Sequence, residues 1–331
     1  MRRREFITLI GSGAAAALPI LARAQPSDGP RRLGLLMPLA ETDQLAQPWV
    51  GALRKELERL GWQVDRNLRI DYRWTAGNLE RMRASAAELV NLTPDVLLAG
   101  NTPTTAALQH ETRQIPIVFV LVGDPIGDRF VASLPHPGGN ITGFLDSEPT
   151  MVGKQIEMLK EIAPGVRRVA FIFNPDVGRY IVSRLRAAEM SGSSLGLEIA
   201  AVPVHDKAEI ESAIATWGQQ ASVGLYVAPD ITTVVNRDLI AALAAQHRLP
   251  AVYPYGFFAV SGGLASYGTE IADHYRLAAG YVDRLFKGVR PDELPVQAPT
   301  HFKLVINLKT ARALGLDVPP LLLSRADEVI E

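Results

Sequence analysis

The chain has 331 residues and 35.9 kDa, 47% hydrophobic and 21% charged, which is enough apolar surface for about two packed domains and excludes a disordered or fibrous protein. Lys plus Arg total 34 against 35 Asp plus Glu, so no basic surplus marks a nucleic-acid or anionic-membrane binder. The lack of cysteine removes disulfides, thiolate nucleophiles, Cys-ligated zinc, iron–sulfur clusters and an N-terminal lipidated Cys.

Met1-Arg2-Arg3-Arg4-Glu5 opens the chain, a small-residue apolar run follows from Ile7 to Leu21, and Ala22-Arg23-Ala24 closes it. These are the charged, apolar and A-x-A parts of an export signal cleaved after Ala24. The run of about 15 residues is too short for a helix that must span roughly 20. Arg3-Arg4-Glu5-Phe6-Ile7 resembles the twin-arginine pattern, which predicts export of a folded protein; a general secretory signal is the alternative. Cleavage leaves 30 Lys plus Arg against 34 Asp plus Glu, a net charge of −4. The dinucleotide-like Gly11-Ser12-Gly13 spacing lies inside the apolar run with no strand before it, so it is a decoy.

From Leu33 onward, short apolar runs without polar alternation take turns with amphipathic stretches, which predicts parallel strands buried on both faces. Leu33 to Met37 is the first strand, and Leu45, Trp49, Leu53, Leu57 and Leu60 line one helix face, ended by Gly61. Strands at Leu68 to Trp74, Val96 to Ala99 and Ile117 to Val122, with helices after the second and third, complete a doubly wound sheet. The turn cluster Pro135 to Asn140 precedes a strand from Ile141 to Phe144, and the Pro-containing stretch Asp146 to Pro149 marks a lobe boundary. A second series then begins: helix Val152 to Ile162, strand Val169 to Phe173, a helix to about Ser194, strand Leu197 to Val202, helix Ala208 to Trp217, strand Val223 to Val227, helix Ile231 to Gln246 and strand Ala251 to Tyr253. A helix from Glu270 to Phe286, the Pro291 to Pro299 stretch and a last strand from Leu304 to Leu308 follow. The segment after Val96 to Ala99 and the one after Val223 to Val227 are faintly alike, pairing Thr104-Thr105 with Thr232-Thr233 and suggesting two similar lobes.

Six histidines show no metal-ligand spacing, and the mature chain has neither a G-x-S-x-G elbow nor a phosphate loop, so no catalytic residue, metal or cofactor is expected. In open α/β sheets ligands bind at the carboxyl ends of strands, and unusual residues gather there. Thr102 reads as a helix N-cap with Pro103 as the first helical residue; the amides and hydroxyls of Thr104 and Thr105 would then face a ligand carboxylate. Asp124 and Asp230 end two further strands and could pair a ligand ammonium, or serve only as a turn and a cap. Tyr255 and Tyr267 would offer aromatic walls to a flat ligand, or pack in the core.

Taken in order along the chain, Asp71-Tyr72-Arg73-Trp74, Pro94-Asp95-Val96, Thr102 to Thr105, Gly123-Asp124-Pro125, Pro137 to Phe144, Phe173-Asn174-Pro175, Gly263 to Gly268 and Val305 to Leu308 resemble the ABC-transporter solute-binding family that includes tryptophan- and other amino-acid-binding proteins. The resemblance runs from about Leu33 to Glu331. It implies an α/β type I periplasmic-binding fold: two doubly wound αβα lobes, 31–144 plus about 268–290 and 145–267 plus about 291–331. Three segments, near Phe144, Tyr267 and Pro291 to Pro299, would join them. It further implies a periplasmic, monomeric, non-enzymatic protein that hands a small carboxylate-bearing ligand to an inner-membrane ABC permease. Thr102, Thr104 and Thr105 would take the ligand carboxylate and Asp124 or Asp230 its amine, with Phe144, Tyr255 and Tyr267 beside them. Pro38 to Asp43 departs from the His-Pro-Ala-Leu-Asp-like segment of amino-acid binders, which leaves amino acids and other organic acids both open. An exported α/β enzyme acting on a small organic acid is the alternative.

Overall fold

The computed structural model describes residues 29–147 and 150–331, so the export signal expected over 1–24 lies outside the described residues. The first lobe alternates β1 (Arg31–Met37), α1 (Ala46–Arg59), β2 (Leu68–Trp74), α2 (Leu79–Asn91), β3 (Val96–Ala99), α3 (Thr102–Glu111), β4 (Ile117–Val122) and β5 (Ile141–Leu145). Its five strands pair in parallel in the order β2-β1-β3-β4-β5. All of β3 and β5 is buried, as strands covered by helices on both faces must be.

The second lobe holds α4 (Met151–Ile162), β6 (Arg168–Phe173), α5 (Tyr180–Ser194), β7 (Glu198–Pro203), α6 (Lys207–Gly218), β8 (Val223–Val227), α7 (Ile231–Val235), α8 (Arg237–Gln246), β9 (Ala251–Tyr253), α9 (Gly256–Val260) and β10 (Ala265–Gly268). The chain then returns to the first lobe as α10 (Ile271–Phe286), whose Tyr275 stacks on Trp49 of α1 at 5.9 Å. Trp62 Nε1 donates to Asp283 Oδ1 at 2.9 Å, tying the other end of α10 to the same lobe. The second lobe is completed by β11 (Lys303–Asn307), α11 (Leu308–Leu314), α12 (Pro320–Leu323) and β12 (Glu328–Ile330).

Two details depart from the sequence reading. The second sheet, ordered β12-β11-β10-β9-β8-β6-β7, is not wholly parallel, because β11 runs antiparallel to β10. Parallel pairing needs a helical crossover on the same lobe, and β11 instead arrives from the other lobe through residues 287–302. The single helix expected from Ile231 to Gln246 is two, α7 and α8, broken at Asn236. There the side-chain Nδ2 donates to the Thr232 carbonyl at 2.8 Å, an alternative to continuing the helix ladder.

Three segments cross between the sheets: the end of β5 into Asp146 and Ser147, Gly268 to Glu270 between β10 and α10, and residues 287–302. They place the carboxyl ends of β1, β3 and β4 opposite those of β6, β8 and β9. No described helix is long and apolar enough to cross a membrane.

Candidate functional site

Each lobe presents a helix start at the facing strand ends, and the two starts are built alike. In the first lobe Asn101, not Thr102, is the N-cap: its Oδ1 accepts Thr104 N at 3.0 Å, and Thr104 Oγ1 accepts Asn101 N at 2.9 Å. Asp230 caps α7 by the same reciprocal pattern, its Oδ1 accepting Thr233 N at 2.9 Å. The internal likeness therefore pairs Asn101 with Asp230 and Thr104 with Thr233, one residue off the register read from the Thr-Thr pairs.

This geometry corrects the expected roles of Thr104 and Thr105. Both are fully buried; Thr104 Oγ1 is spent on Asn101, Thr105 Oγ1 donates to Asn101 O at 2.7 Å, and Thr105 N donates to the same carbonyl at 3.0 Å. Neither hydroxyl nor amide is turned outward, because a capping box satisfies both within the first turn. The donors left at this helix start are the Thr102 amide, which has no partner inside a helix, and Asn101 Nδ2, aimed away from the turn because Oδ1 faces it. Asn101 and Thr102 both line the cleft between the lobes.

The body of that cleft is apolar and aromatic: Trp49 and Leu121 from the first lobe, Tyr180, Ile231, Val234 and Tyr255 from the second. Leu121 holds φ at +56°, a left-handed conformation that a leucine adopts only under constraint, where the β4–β5 register shifts between Phe119 and Val122. Tyr180 reaches across to Gly123, where an added Cβ would lie 2.5 Å from its ring. Its hydroxyl donates to Pro229 O at 3.0 Å, and burial raises it well above an ordinary phenol.

Asp230 is the one ionisable carboxylate in the lining, and the lining holds no Lys, Arg or His. The side chain is buried, and burial pushes it up to about 7; the amides of Asn174, Thr233 and Thr232 oppose that rise. Its Oδ2 accepts Asn174 N at 3.0 Å. Asp230 is thus poised between charged and neutral near neutral pH, and a cation beside it would drive it to the charged form.

Behind the cleft, Asp146 gathers the hinge. Its Oδ2 accepts Arg184 Nη2 at 2.6 Å, its Oδ1 accepts the Tyr255 hydroxyl at 2.7 Å, and Arg184 Nη2 also donates to Ser147 Oγ at 2.5 Å. Burial disfavours the Arg184 charge, and Asp146 together with Tyr226, Tyr255 and Tyr180 more than restores it. Asp146 was legible only as part of an acidic turn, and Arg184 carries no sequence signal inside α5. Trp49, Tyr180, Leu121 and Asn101 are further lining residues that the sequence reading did not single out.

Of the expected site residues, Thr102, Asp230 and Tyr255 line the cleft and the others do not. Asp124 folds back so that its Oδ1 accepts Gly127 N at 2.8 Å, an Asx-type turn outside the cleft lining. Phe144 is buried against Tyr281 at 4.7 Å in the hinge. Tyr267 leans on Phe302 and lines a separate groove of about 280 Å³ with Lys154 and Glu157 of α4. Its strand, β10, turns that side chain away from the cleft. Among the described residues no group of three or more His, Asp or Glu side chains could hold a metal ion.

A family model described as ABC transporter substrate binding protein matches residues 39–330. The chain is 24% identical over 264 residues to a tyrosine-binding protein of Clostridioides difficile, covering 79% of this chain and 75% of that one. Among solved structures it is similar to a conserved domain protein from Vibrio cholerae, 29% identical with a TM-score of 0.84, covering 90% and 99% of the two chains. It superposes equally well, at 0.84 and 23% identity over 91% and 100%, on a Streptococcus protein in complex with L-Trp. Against a ligand-free, open substrate-binding protein from Clostridium difficile the score is 0.66, at 21% identity over 91% and 99%.

Proposed function

We propose, from the premise that this chain belongs to the ABC transporter substrate-binding protein family, that its cleft captures an aromatic α-amino acid as the zwitterion. The family settles the coarser part: the protein is the solute-binding component of an ABC transporter, binds a small ligand, works with a permease and is not an enzyme. In the finer reading the export signal is cleaved after Ala24, the monomeric protein works in the periplasm, and its lobes divide as 31–144 plus 268–290 and 145–267 plus 291–331.

The observation that carries the zwitterion is the pairing of unlike helix caps across one cleft. Asn101 Nδ2 and the Thr102 amide offer neutral donors to a carboxylate, while Asp230 offers an anion to an ammonium. An acid without an amine would meet Asp230 as a like charge with no cation in the lining to offset it. Trp49, Tyr180 and Tyr255 supply walls for a flat ring. The tyrosine-binding relative and the L-Trp complex of the Streptococcus protein support the same class. A ligand touching both lobes stabilises the closed form by its differential contacts, and the permease reads that shape.

Calorimetry with L-tryptophan, L-tyrosine and their deaminated acids tests the reading. Because burial raises Asp230 to about 7 and an ammonium lowers it again, binding an amino acid at neutral pH should release protons, and affinity should fall as the pH is lowered. A deaminated acid should instead take up a proton. Asp230→Asn should weaken amino-acid binding by at least about 30-fold, the low end for losing one partner of a buried charge pair. Proton uptake with both ligand types, or tighter binding of the deaminated acids, would contradict the assignment.

A further inference from the structure

The lobes also meet at a place the ligand does not touch. Asp43, in the loop between β1 and α1, accepts Arg237 Nη1 and Nη2 at 2.9 and 3.0 Å, and Arg237 is the first residue of α8 on the other lobe. The two side chains retain only 11% and 14% exposure for Arg237 and Asp43. Each is aimed by its own lobe: Arg237 Nη1 also donates to Val234 O at 3.2 Å, and Asp43 Oδ1 accepts Leu45 N at 2.9 Å. The other charge near the pair is Asp238, 4.0 Å from Arg237 Nε and 74% exposed, too solvated to compete. Neither Asp43 nor Arg237 lines the cleft, but Val234 does.

We propose that Asp43 and Arg237 form a clasp that favours closure independently of the ligand, setting how much of the empty protein is closed and how long an occupant stays. The partners lie 194 residues apart and on different lobes, so their two-point contact exists only when the lobes meet. A bidentate Arg–carboxylate pair stripped of most of its water is stronger than an exposed ion pair, and both side chains are held in place before they join. The clasp adds one fixed contribution to the closed form whatever fills the cleft, so apparent affinity for every ligand scales with it. It depends on two-lobe closure and not on the zwitterion assignment.

The natural absence of cysteine allows a clean measurement. The full protein, ligand removed, is labelled with a dye pair at Ile126→Cys and Met190→Cys, exposed positions on opposite lobes, and the closed-to-open ratio is read by single-molecule energy transfer. Arg237→Gln should lower that ratio about threefold to tenfold, Asp43→Asn should lower it as far, and the double variant should fall no lower than either alone. The melting temperature of the ligand-free protein should stay within about a degree, since the pair is absent from the open form. An unchanged ratio in Arg237→Gln, whatever its melting temperature, overturns the proposal, and so does a double variant whose loss is the sum of the two single losses. Because no ligand is present, neither result depends on what the cleft binds.

Discussion

Arg184→Met is expected to destabilise the protein by about 3 to 5 kcal/mol in urea unfolding followed by tryptophan fluorescence. Arg184 and Asp146 are both buried, and their contact ties α5 of one lobe to the first hinge segment. Removing the guanidinium leaves the Asp146 carboxylate in a dry site with, among the described residues, Tyr255 and Ser147 as its side-chain donors. An uncompensated buried charge is what makes breaking such a pair costly, whereas removing both charges is close to neutral. The double variant Arg184→Met with Asp146→Asn should therefore regain most of the loss, giving a large coupling term in the cycle. A single-variant loss under about 1 kcal/mol would mean that water reaches Asp146 and that the hinge is not held this way.

Gly143→Ala should cost roughly 3 to 5 kcal/mol, the combined scale of a strained backbone and an overpacked contact. Gly143 sits in β5 at φ +156°, and a Cβ there would overlap the Phe119 carbonyl oxygen and lie 2.7 Å from the Phe119 nitrogen. Neither neighbour is a flexible side-chain end that could swing aside. The strand pair is already irregular between Phe119 and Val122, where Leu121 turns into the cleft, so relief by sliding β5 would also displace the lining. Gly139→Ala provides the control, because nothing lies within 4 Å of its Cβ position and the change should stay within about 0.5 kcal/mol. Equal melting of the two variants would remove the argument that β4 and β5 approach too closely for a side chain.

Most of the architecture was legible along the chain. The strands Val96–Ala99, Ile117–Val122, Val223–Val227 and Ala251–Tyr253 fall where apolar runs without polar alternation predict them, because burial on both faces imposes that pattern locally, while the edge strand Leu68–Trp74 alternates apolar and polar residues and is mostly half-buried. Part of what escaped depends on partners far away in sequence, and part on a local competition between hydrogen bonds. The antiparallel β11 is set by a route through the other lobe, and the break at Asn236 by a side chain choosing a carbonyl four residues back.

For the site, the residue types at strand ends were readable and their directions were not. Asp230, Thr102 and Tyr255 line the cleft as α/β topology suggests, yet Thr104 and Thr105 turn inward because the capping box starts one residue earlier, at Asn101. The choice between an N-cap at Asn101 or Thr102 is a matter of backbone angles that both sequences of events would satisfy locally. Asp124, Phe144 and Tyr267 carry suitable chemistry and point elsewhere, into a turn, a hinge and a separate groove.

By itself, then, the order of residues determined two αβ lobes, most of their strands and helices, and the strand ends to which α/β topology directs a search for a ligand, since periodicity, caps and breakers act over a few residues. Only the tertiary structure decided which side chains face each other across the cleft, that Asp146 and Arg184 hold the hinge, and that Asp43 meets Arg237. Those pairings join groups tens to hundreds of residues apart, and their strength comes from losing water together, which no local stretch of sequence can register.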